Sequence, residues 1–123
     1  MAKTTLGAWL ERPYALAMSS GFFSFFAHTG VLSVLEREAP LPTRVSGSSA
    51  GALVTGAFAA GLSSDALAEE LVRLERAHFW DPGPGPGLLR GRRFQERLEA
   101  MLPVRTFEEC RIPAAVSVFD VRS

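Results

Sequence analysis

Short apolar runs alternate along the chain with longer segments in which apolar residues recur at helical spacing. Two runs have the length and composition of buried strands, residues 14–18 and 113–119, and residues 43–46 are a brief strand candidate between them. Helical spacing predicts helices in the segments between them, over residues 27–38, 50–60, 64–76 and 94–102. Strands that alternate with helices are typical of a layered α/β domain. We therefore expect a mainly parallel central sheet flanked by helices.

The ends and faces of these helices follow from the same pattern. Gly61 fits the position just past the second helix, and Ser64 or Asp65 is expected to cap the third. The third helix has an inward row of leucines, at Leu67, Leu71 and Leu74. The first helix has four apolar residues on one face: Ala27, Val31, Val34 and Leu35. The Pro-Gly run over residues 81–87 predicts a loop, and residues 106–109 have the form of a capping box.

The charge balance narrows the class of protein. Thirteen basic and thirteen acidic residues give a net charge of zero, and 47% of residues are hydrophobic. This composition is typical of one globular domain and argues against a disordered tail or a bulk nucleic-acid binder. Cys110 is the single cysteine, so a disulfide framework is excluded. No spacing of His, Cys, Asp and Glu indicates a metal site, and we expect no cofactor.

Two uncharged stretches, residues 13–35 and 45–64, reach the length of a membrane span. Both contain Ser, Gly, Thr or His near their middles, which favours a buried strand, turn and helix. Glu11, Arg12 and Pro13 interrupt the N-terminal apolar stretch before the core of a signal peptide forms. We therefore expect a cytoplasmic protein.

The sharpest local signal is the run Gly47-Ser48-Ser49-Ala50-Gly51, which matches G-x-S-x-G with Ser49 at its centre. A strand that turns this tightly into a helix strains the serine backbone and exposes its hydroxyl, while the glycines leave room for neighbouring backbone. The N-terminal end of the helix favours negative charge beside Ser49. The run is compatible with a serine nucleophile, a structural glycine turn or a phosphate nest. Its spacing and the lack of a following lysine exclude a Walker loop.

Two segments of the chain carry a family resemblance. The first is Leu16-Ala-Met-Ser-Ser-Gly21 continuing to Ala27-His-Thr-Gly-Val-Leu32, and the second is Val45-Ser-Gly-Ser-Ser-Ala-Gly-Ala52. In this order they resemble the patatin-like phospholipase family. Residues 106–113 and the strand to Asp120 resemble the middle of that domain. The resemblance implies that residues 1–123 are the N-terminal portion of one patatin-like α/β domain. It also implies a serine acyl hydrolase that cleaves lipid acyl esters with a Ser–Asp dyad and no metal. Ser49 matches the nucleophile, and Gly47 and Gly51 match the elbow glycines.

The oxyanion loop of this family, Gly-Gly-Gly-x-Arg-Gly, falls on residues 20–25. Only Gly21 is retained there, and Ser24 occupies the arginine position. The resemblance implies that backbone N–H groups of Gly21, Phe22 and Ala50 hold the oxyanion. Phenylalanines in such a loop restrict positive φ and crowd the site. Losing one donor typically costs about 10²–10³ in rate, so this departure bears directly on activity.

The dyad aspartate of the family lies in an Asp-Gly-Gly or Asp-Gly-Ala motif. No Asp-Gly dipeptide occurs in this sequence, whose aspartates are Asp65, Asp81 and Asp120, and Asp120 matches a different family position. We therefore expect the domain to be incomplete here and this chain alone to be inactive. The alternative is a non-catalytic lipid-binding or interaction module on the same fold. The expected partner is a lipid or acyl ester, with peripheral membrane contact left open and no nucleic acid.

The remaining candidates have a structural interpretation beside the functional one. His28 is the obvious substitute base, but a packing role is expected for it, and His78 is expected to lie in a loop. Four phenylalanines form either part of the core or an acyl-chain wall: Phe22, Phe23, Phe25 and Phe26. Three arginines, which are expected to form a solvated helix start rather than a headgroup site, are Arg90, Arg92 and Arg93.

Overall fold

The computed structural model describes residues 5–120. Its helices and strands are α1 (Thr5–Leu10), β1 (Ala15–Met18), α2 (Ser24–Glu38), β2 (Arg44–Gly47), α3 (Ala50–Ala60), α4 (Ser64–Val72), α5 (Arg92–Met101) and β3 (Ala114–Val116). Short 3-10 turns occur at Arg76–His78 and Phe107–Glu109. None of the helices in this part of the chain is long and apolar enough to cross a membrane.

The three strands form one parallel sheet in the order β1-β2-β3. Met18 lies opposite Gly47, and Gly47 lies opposite Val116, so the carboxyl ends of the strands share one edge of the sheet. Parallel neighbours need crossover connections, and α2 lies in the first of them while α3, α4 and α5 lie in the second. The expected α/β architecture with a parallel sheet and flanking helices is confirmed.

The core lies between one face of the sheet and three helices. α3 packs against all three strands, and α2 and α4 pack against α3 and against each other. Val54 and Phe58 of α3 are almost completely buried, together with Leu32 of α2 and Leu67 of α4. Burying a side chain of this size contributes about 1.5–3 kcal/mol. The position of α3 over the sheet is therefore held by its packing against the strands on one side and against α2 and α4 on others.

The other face of the sheet is open in the described part of the chain. Ala15, Ala17 and Ser46 are exposed on it. Beyond β3, Val118 and Phe119 are also exposed. The prediction of fully buried strands is therefore wrong for the first and third strands, and β3 is shorter than predicted. Successive side chains in a strand point to opposite faces, and the described helices cover only one of them.

The buried face of α2 also differs from the predicted row. The helix begins at Ser24 rather than at residue 27. Its buried residues are Thr29 and Leu32, whereas Val31 and Val34 are 50% and 41% exposed. Apolar residues occur on more than one side of this helix, and contact with α3 and α4 determines which side is covered.

Most helix ends lie within two residues of their predicted positions. Gly61 follows α3 in the left-handed conformation, with φ 115°, as predicted. The cap of α4 is Ser63, one residue earlier than predicted, and its Oγ accepts a hydrogen bond from the Ala66 N–H at 3.1 Å. α4 ends at Val72, so Leu74 lies beyond the helix and is 36% exposed instead of facing inward.

The segments after α4 follow the prediction closely. The Pro-Gly run lies in a loop, which an isolated antiparallel bridge between Pro82 and Leu89 closes. α5 begins at Arg92, two residues before the predicted start. Thr106 and Glu109 form the predicted capping box around a short 3-10 turn. This turn and α5 lie beside α3, where they contribute to the candidate site described next.

Candidate active site

Ser49 lies between β2 and α3 in a strained backbone conformation. Its φ is 53° and its ψ is −118°, and within residues 5–120 it is the one non-glycine residue with a positive φ. A conformation this sparsely populated costs about 1–3 kcal/mol and persists only where the surroundings impose it. Ser49 itself is exposed, although it directly precedes the buried residue Ala50. The turn therefore presents a serine hydroxyl at the sheet edge.

The surroundings that impose this conformation are backbone atoms at close approach. A Cβ atom on Gly47 would overlap the carbonyl group of Gly51, and a Cβ atom on Gly51 would overlap the carbonyl group of Met18. The Ser48 N–H also donates to the Met18 carbonyl oxygen at 3.2 Å. The start of α3 is thus pressed against the ends of β1 and β2. Glycine is required at both positions because no other residue leaves room for this contact.

The first turn of α3 directs backbone donors toward the same edge. The N–H groups of a first helical turn have no partner within the helix, and the helix dipole places partial positive charge there. Gly51 uses its N–H for the Ser48 carbonyl oxygen at 3.0 Å. The Ala50 N–H lies one residue earlier, immediately after Ser49. This end of α3 therefore favours negative charge beside the serine hydroxyl.

An apolar groove of about 530 Å³ opens beside Ser49. Five residues of α3 line it: Ala50, Ala52, Leu53, Gly56 and Ala57. Its other lining residues come from α2, from α5 and its end, from the Phe107 turn and from β3: Phe25, Phe94, Leu98, Leu102, Phe107 and Val116. Among the described residues, Ser49 contributes the one polar side chain of the lining. The groove therefore suits an apolar chain whose polar end lies at Ser49.

The phenylalanine cluster expected from the sequence contributes less to this groove than predicted. Phe25 is the member that lines it, whereas Phe22, Phe23 and Phe26 are 86%, 74% and 55% exposed. The core interpretation is therefore wrong for these three, and they do not line this groove. The wall comes instead from α5, whose apolar residues follow a four-residue spacing at Phe94, Leu98 and Leu102. This spacing was visible in the sequence, but its position beside Ser49 was not.

The proposed oxyanion loop follows β1 at the edge that also carries Ser49. Gly21 lies in a turn in which its carbonyl oxygen accepts the Ser24 N–H at 3.1 Å. The Phe22 side chain is almost fully exposed. β1 and β2 are parallel neighbours, so their exits lie side by side. The roles of Gly21, Phe22 and Ala50 as oxyanion donors remain predictions.

The two histidines lie in local structural hydrogen bonds. His28 Nε2 is 2.8 Å from the Ser19 carbonyl oxygen in the exit of β1. His78 Nδ1 accepts the Glu75 N–H at 3.0 Å in a capping interaction. These contacts support the structural interpretation of both side chains. Within residues 5–120, no three His, Cys, Asp or Glu side chains form a group that could hold a metal ion.

The aspartates lie on three different elements. Asp65 is in the first turn of α4, Asp81 begins the Pro-Gly loop, and Asp120 is exposed four residues beyond the end of β3. None of the residues that line the groove in the described chain is ionisable. The groove thus surrounds Ser49 with apolar side chains and contains no carboxylate from the described chain.

Asp81 anchors α5, the helix that forms one wall of the groove. Its two carboxylate oxygens accept the N–H groups of Gly91 and Arg93 at 3.0 and 3.2 Å. Desolvation acts to raise the pKa of Asp81, but hydrogen bonds from the backbone of Arg93, Gly91, Arg92 and Arg90 outweigh it. The pKa of this carboxyl is therefore lowered from its usual value. The anchor is strongest while Asp81 is ionised.

We expect Asp81→Asn to lower the thermal midpoint at pH 7 by about 2–5 °C, because the amide keeps only one acceptor for two backbone donors. A carboxyl with a lowered folded-state pKa stabilises the protein above its ordinary pKa of about 4, and this contribution is lost as the pH falls through the folded-state value. Thermal melts from pH 7 to pH 3 should therefore show the gap between wild type and variant closing below about pH 4.

Glu96→Gln is the matched control for this prediction, since it makes the same chemical change at an exposed position of α5. Its thermal midpoint should stay near that of the wild type throughout. A gap for Asp81→Asn that is independent of pH, or equal to that of Glu96→Gln, would show that ionised Asp81 does not anchor α5.

Comparison with known proteins identifies the family of this chain. The family model for patatin-like phospholipase matches residues 16–122, which include β1 from its second residue, all of β2 and β3, Ser49 and the groove-lining residues of α3 and α5. No solved structure matches the chain. Because the matched region covers most of the sequence, the chain belongs to the patatin-like phospholipase family.

Proposed function

We propose that this chain carries the nucleophile and acyl-chain groove of a serine acyl hydrolase that cleaves lipid acyl esters. One observation carries the proposal: the strained, exposed Ser49 lines the 530 Å³ apolar groove. A structural glycine turn accounts for the strain but not for the groove. A phosphate nest accounts for the backbone donors, but an apolar chamber gives no reason for phosphate to bind there.

In the proposed reaction, Ser49 Oγ attacks the ester carbonyl carbon while a carboxylate accepts the hydroxyl proton. Backbone N–H groups of Gly21, Phe22 and Ala50 hold the oxyanion, with support from the positive end of α3. The tetrahedral intermediate collapses, the proton passes to the leaving alcohol, and an acyl-serine remains. Water then attacks the acyl-serine and releases the fatty acid, which restores Ser49.

The carboxylate in this scheme is the part that the sequence leaves open. Family membership supports an aspartate as the proton acceptor, but the 123 residues contain no Asp-Gly dipeptide. We propose that the dyad aspartate comes from outside these residues. The isolated chain then retains the groove and the strained turn but lacks hydrolytic activity, while the full-length protein carries both halves of the dyad.

A fluorophosphonate probe tests the nucleophile directly, because it phosphonylates a serine only where the hydroxyl is activated and an oxyanion site is formed. We expect peptide mass spectrometry of the labelled full-length protein to locate the adduct on Ser49. A labelled protein in which Ser49 is unmodified would refute the assignment. A protein that takes no label but binds fatty acids would instead favour the alternative, a non-catalytic lipid-binding module.

We further propose that the loop after β1 contacts the lipid surface that holds the substrate. Phe22 and Phe23 are exposed and form an edge-to-face pair with ring centroids 5.0 Å apart. They follow β1 at the sheet edge that carries Ser49. Adjacent exposed aromatic rings favour insertion at the boundary between headgroups and acyl chains. Because the net charge is zero, apolar contact rather than attraction to anionic lipid supports this proposal.

We expect Phe22→Ser to lower the binding of the protein to phosphatidylcholine vesicles by about tenfold, since one ring no longer enters the interface. Co-sedimentation at increasing lipid concentration measures this change. Val72→Ser is the control because Val72 is 77% exposed at the end of α4, on a different element. Equal losses for the two variants, or no loss for Phe22→Ser, would contradict a specific role for the loop.

A further inference from the structure

Gly56 is a glycine in the middle of α3 for which neither backbone conformation nor crowding gives a reason. Its φ lies outside the left-handed region, and a Cβ atom there would have no heavy atom within 4 Å. Glycine destabilises a helix interior relative to alanine. Gly47 and Gly51 differ from it, since each lies against backbone that a Cβ would overlap. A side chain at position 56 would therefore fill the open space that lies beside Gly56.

That space is the junction of two cavities. Gly56 lines the 530 Å³ groove that contains Ser49, and it also lines a second cavity of about 140 Å³. Ala60 of α3 and Cys110 also line the second cavity, together with Val104, Arg105 and Thr106. Leu102, Phe107 and Val116 line both cavities, as Gly56 does. Because these four residues line both cavities, we infer that the two adjoin beside Gly56, so that an apolar chain in the groove at Ser49 can extend past Gly56.

The rise per residue of α3 gives the distance from Ser49 to each point along this path. Gly56 is seven residues beyond Ser49, or about 10 Å along the axis of α3, which matches an extended chain of about eight carbons. Ala60 is eleven residues beyond Ser49, or about 16 Å, which matches about thirteen carbons. A side chain at position 56 would therefore stop an acyl chain near its eighth carbon.

We propose that Gly56 sets the acyl-chain length of this protein, by leaving open the passage through which chains longer than about eight carbons reach the second cavity. The inference rests on the proposed function, because it takes the chain in the groove to be the acyl group of the ester attacked at Ser49. The favoured ligand is a linear acyl chain of about twelve carbons, which is long enough to pass Gly56 and ends before Ala60.

Fatty-acid binding tests the passage without requiring catalysis. The probes are the sodium salts of hexanoate to tetradecanoate, and isothermal titration calorimetry of the full-length protein measures each affinity. In the wild type we expect the affinity to rise about two- to fourfold with each added methylene up to about twelve carbons, and then to level. In Gly56→Leu the levelling should occur near eight carbons, so that dodecanoate loses at least about tenfold.

Gly30→Leu is the matched control for this substitution. Gly30 is also a glycine inside a helix with no heavy atom near a built Cβ, but it lies in α2 away from the groove. Its affinity profile should match the wild type. Gly56→Ala serves as a second variant that keeps the helix intact and shortens the passage by one or two carbons. Identical profiles for wild type and both Gly56 variants, or equal shifts for Gly30→Leu, would overturn the proposal.

Two outcomes separate this inference from the proposed function. A shifted length profile in a protein whose Ser49 takes no fluorophosphonate would support the role of Gly56 while the hydrolase assignment fails. A labelled Ser49 with an unchanged profile in Gly56→Leu would support the hydrolase and refute the role of Gly56. A wild type that binds none of the fatty acids would refute the passage.

Discussion

We expect Ser49→Ala to lower kcat for the proposed ester hydrolysis by the full-length protein by at least about 10³-fold, because the attacking oxygen is lost and no acyl-enzyme can form. The residual rate should then come from the proposed oxyanion donors and the groove, which the substitution leaves in place. The measurement is the release of p-nitrophenol from p-nitrophenyl esters of short and medium chain length. Because the backbone at position 49 keeps its strained φ with alanine, the variant should fold like the wild type.

Ser48→Ala is the control for this experiment. Ser48 lies in the same turn and donates its backbone N–H to the Met18 carbonyl oxygen, a bond that the substitution leaves intact. Its activity should remain close to that of the wild type. Comparable activity for Ser49→Ala and wild type would show that the hydrolysis occurs elsewhere. Absence of hydrolysis in the intact wild type would favour the binding module.

Gly51→Ala destabilises the protein by at least about 3 kcal/mol, the upper range of overpacking effects. The added Cβ would overlap the carbonyl of Met18 and lie 2.8 Å from the Ser19 carbonyl oxygen. Both neighbours are backbone, so neither can turn away as a side chain would. Relief requires the start of α3 to move off the ends of β1 and β2. Urea unfolding followed by circular dichroism measures the loss.

Gly56→Ala makes the same chemical change five residues further along α3, where a Cβ meets open space. We expect it to raise the free energy of unfolding by up to about 1 kcal/mol through helix propensity. Gly51→Ala should lower the free energy of unfolding and Gly56→Ala should raise it. This opposite effect distinguishes close backbone approach at Gly51 from the general effect of a glycine in a helix. A Gly51→Ala variant as stable as the wild type would show that α3 does not press on the strand ends.

Contacts at two points along α5 hold the wall of the groove in place. Asp81 holds the start of α5 through the backbone of Gly91 and Arg93. Near the middle of the same helix, Arg97 forms an ion pair with Glu70 of α4 at 2.7 Å. These contacts hold Phe94 and Leu98 over the groove. Substitutions that loosen α5 should therefore weaken the binding of long acyl chains before they unfold the core.

Features set by local chemistry were predicted well from the sequence. The capping box at Thr106 and the left-handed Gly61 depend on neighbours within a few residues. The strand-turn-helix around Ser49 is local in the same sense, because its glycines are demanded by backbone that the turn itself brings together. The order of strands and helices was sufficient to indicate a parallel sheet.

Features set by long-range packing were not predicted. The exposure of Val31 on α2 depends on which side of the helix α3 and α4 cover. Whether Phe22 and Phe23 are exposed depends on whether another segment packs over the end of β1, and in this structure both are exposed. The groove wall of Phe94 and Phe107 comes from residues more than forty positions beyond Ser49. The spacing of apolar residues within one segment does not show which other segment of the chain will pack against it.

The sequence by itself determined the class of fold, the strained serine turn and the two glycines that allow it, since steric exclusion acts between atoms a few bonds apart. It also determined the atypical composition of the loop after β1. The tertiary structure decided which face of each element is buried, and it placed α5 and the Phe107 turn beside Ser49. Burial depends on which surfaces meet when the chain folds. The sequence was therefore sufficient to identify the serine turn, whereas the groove beside it became visible only in the structure.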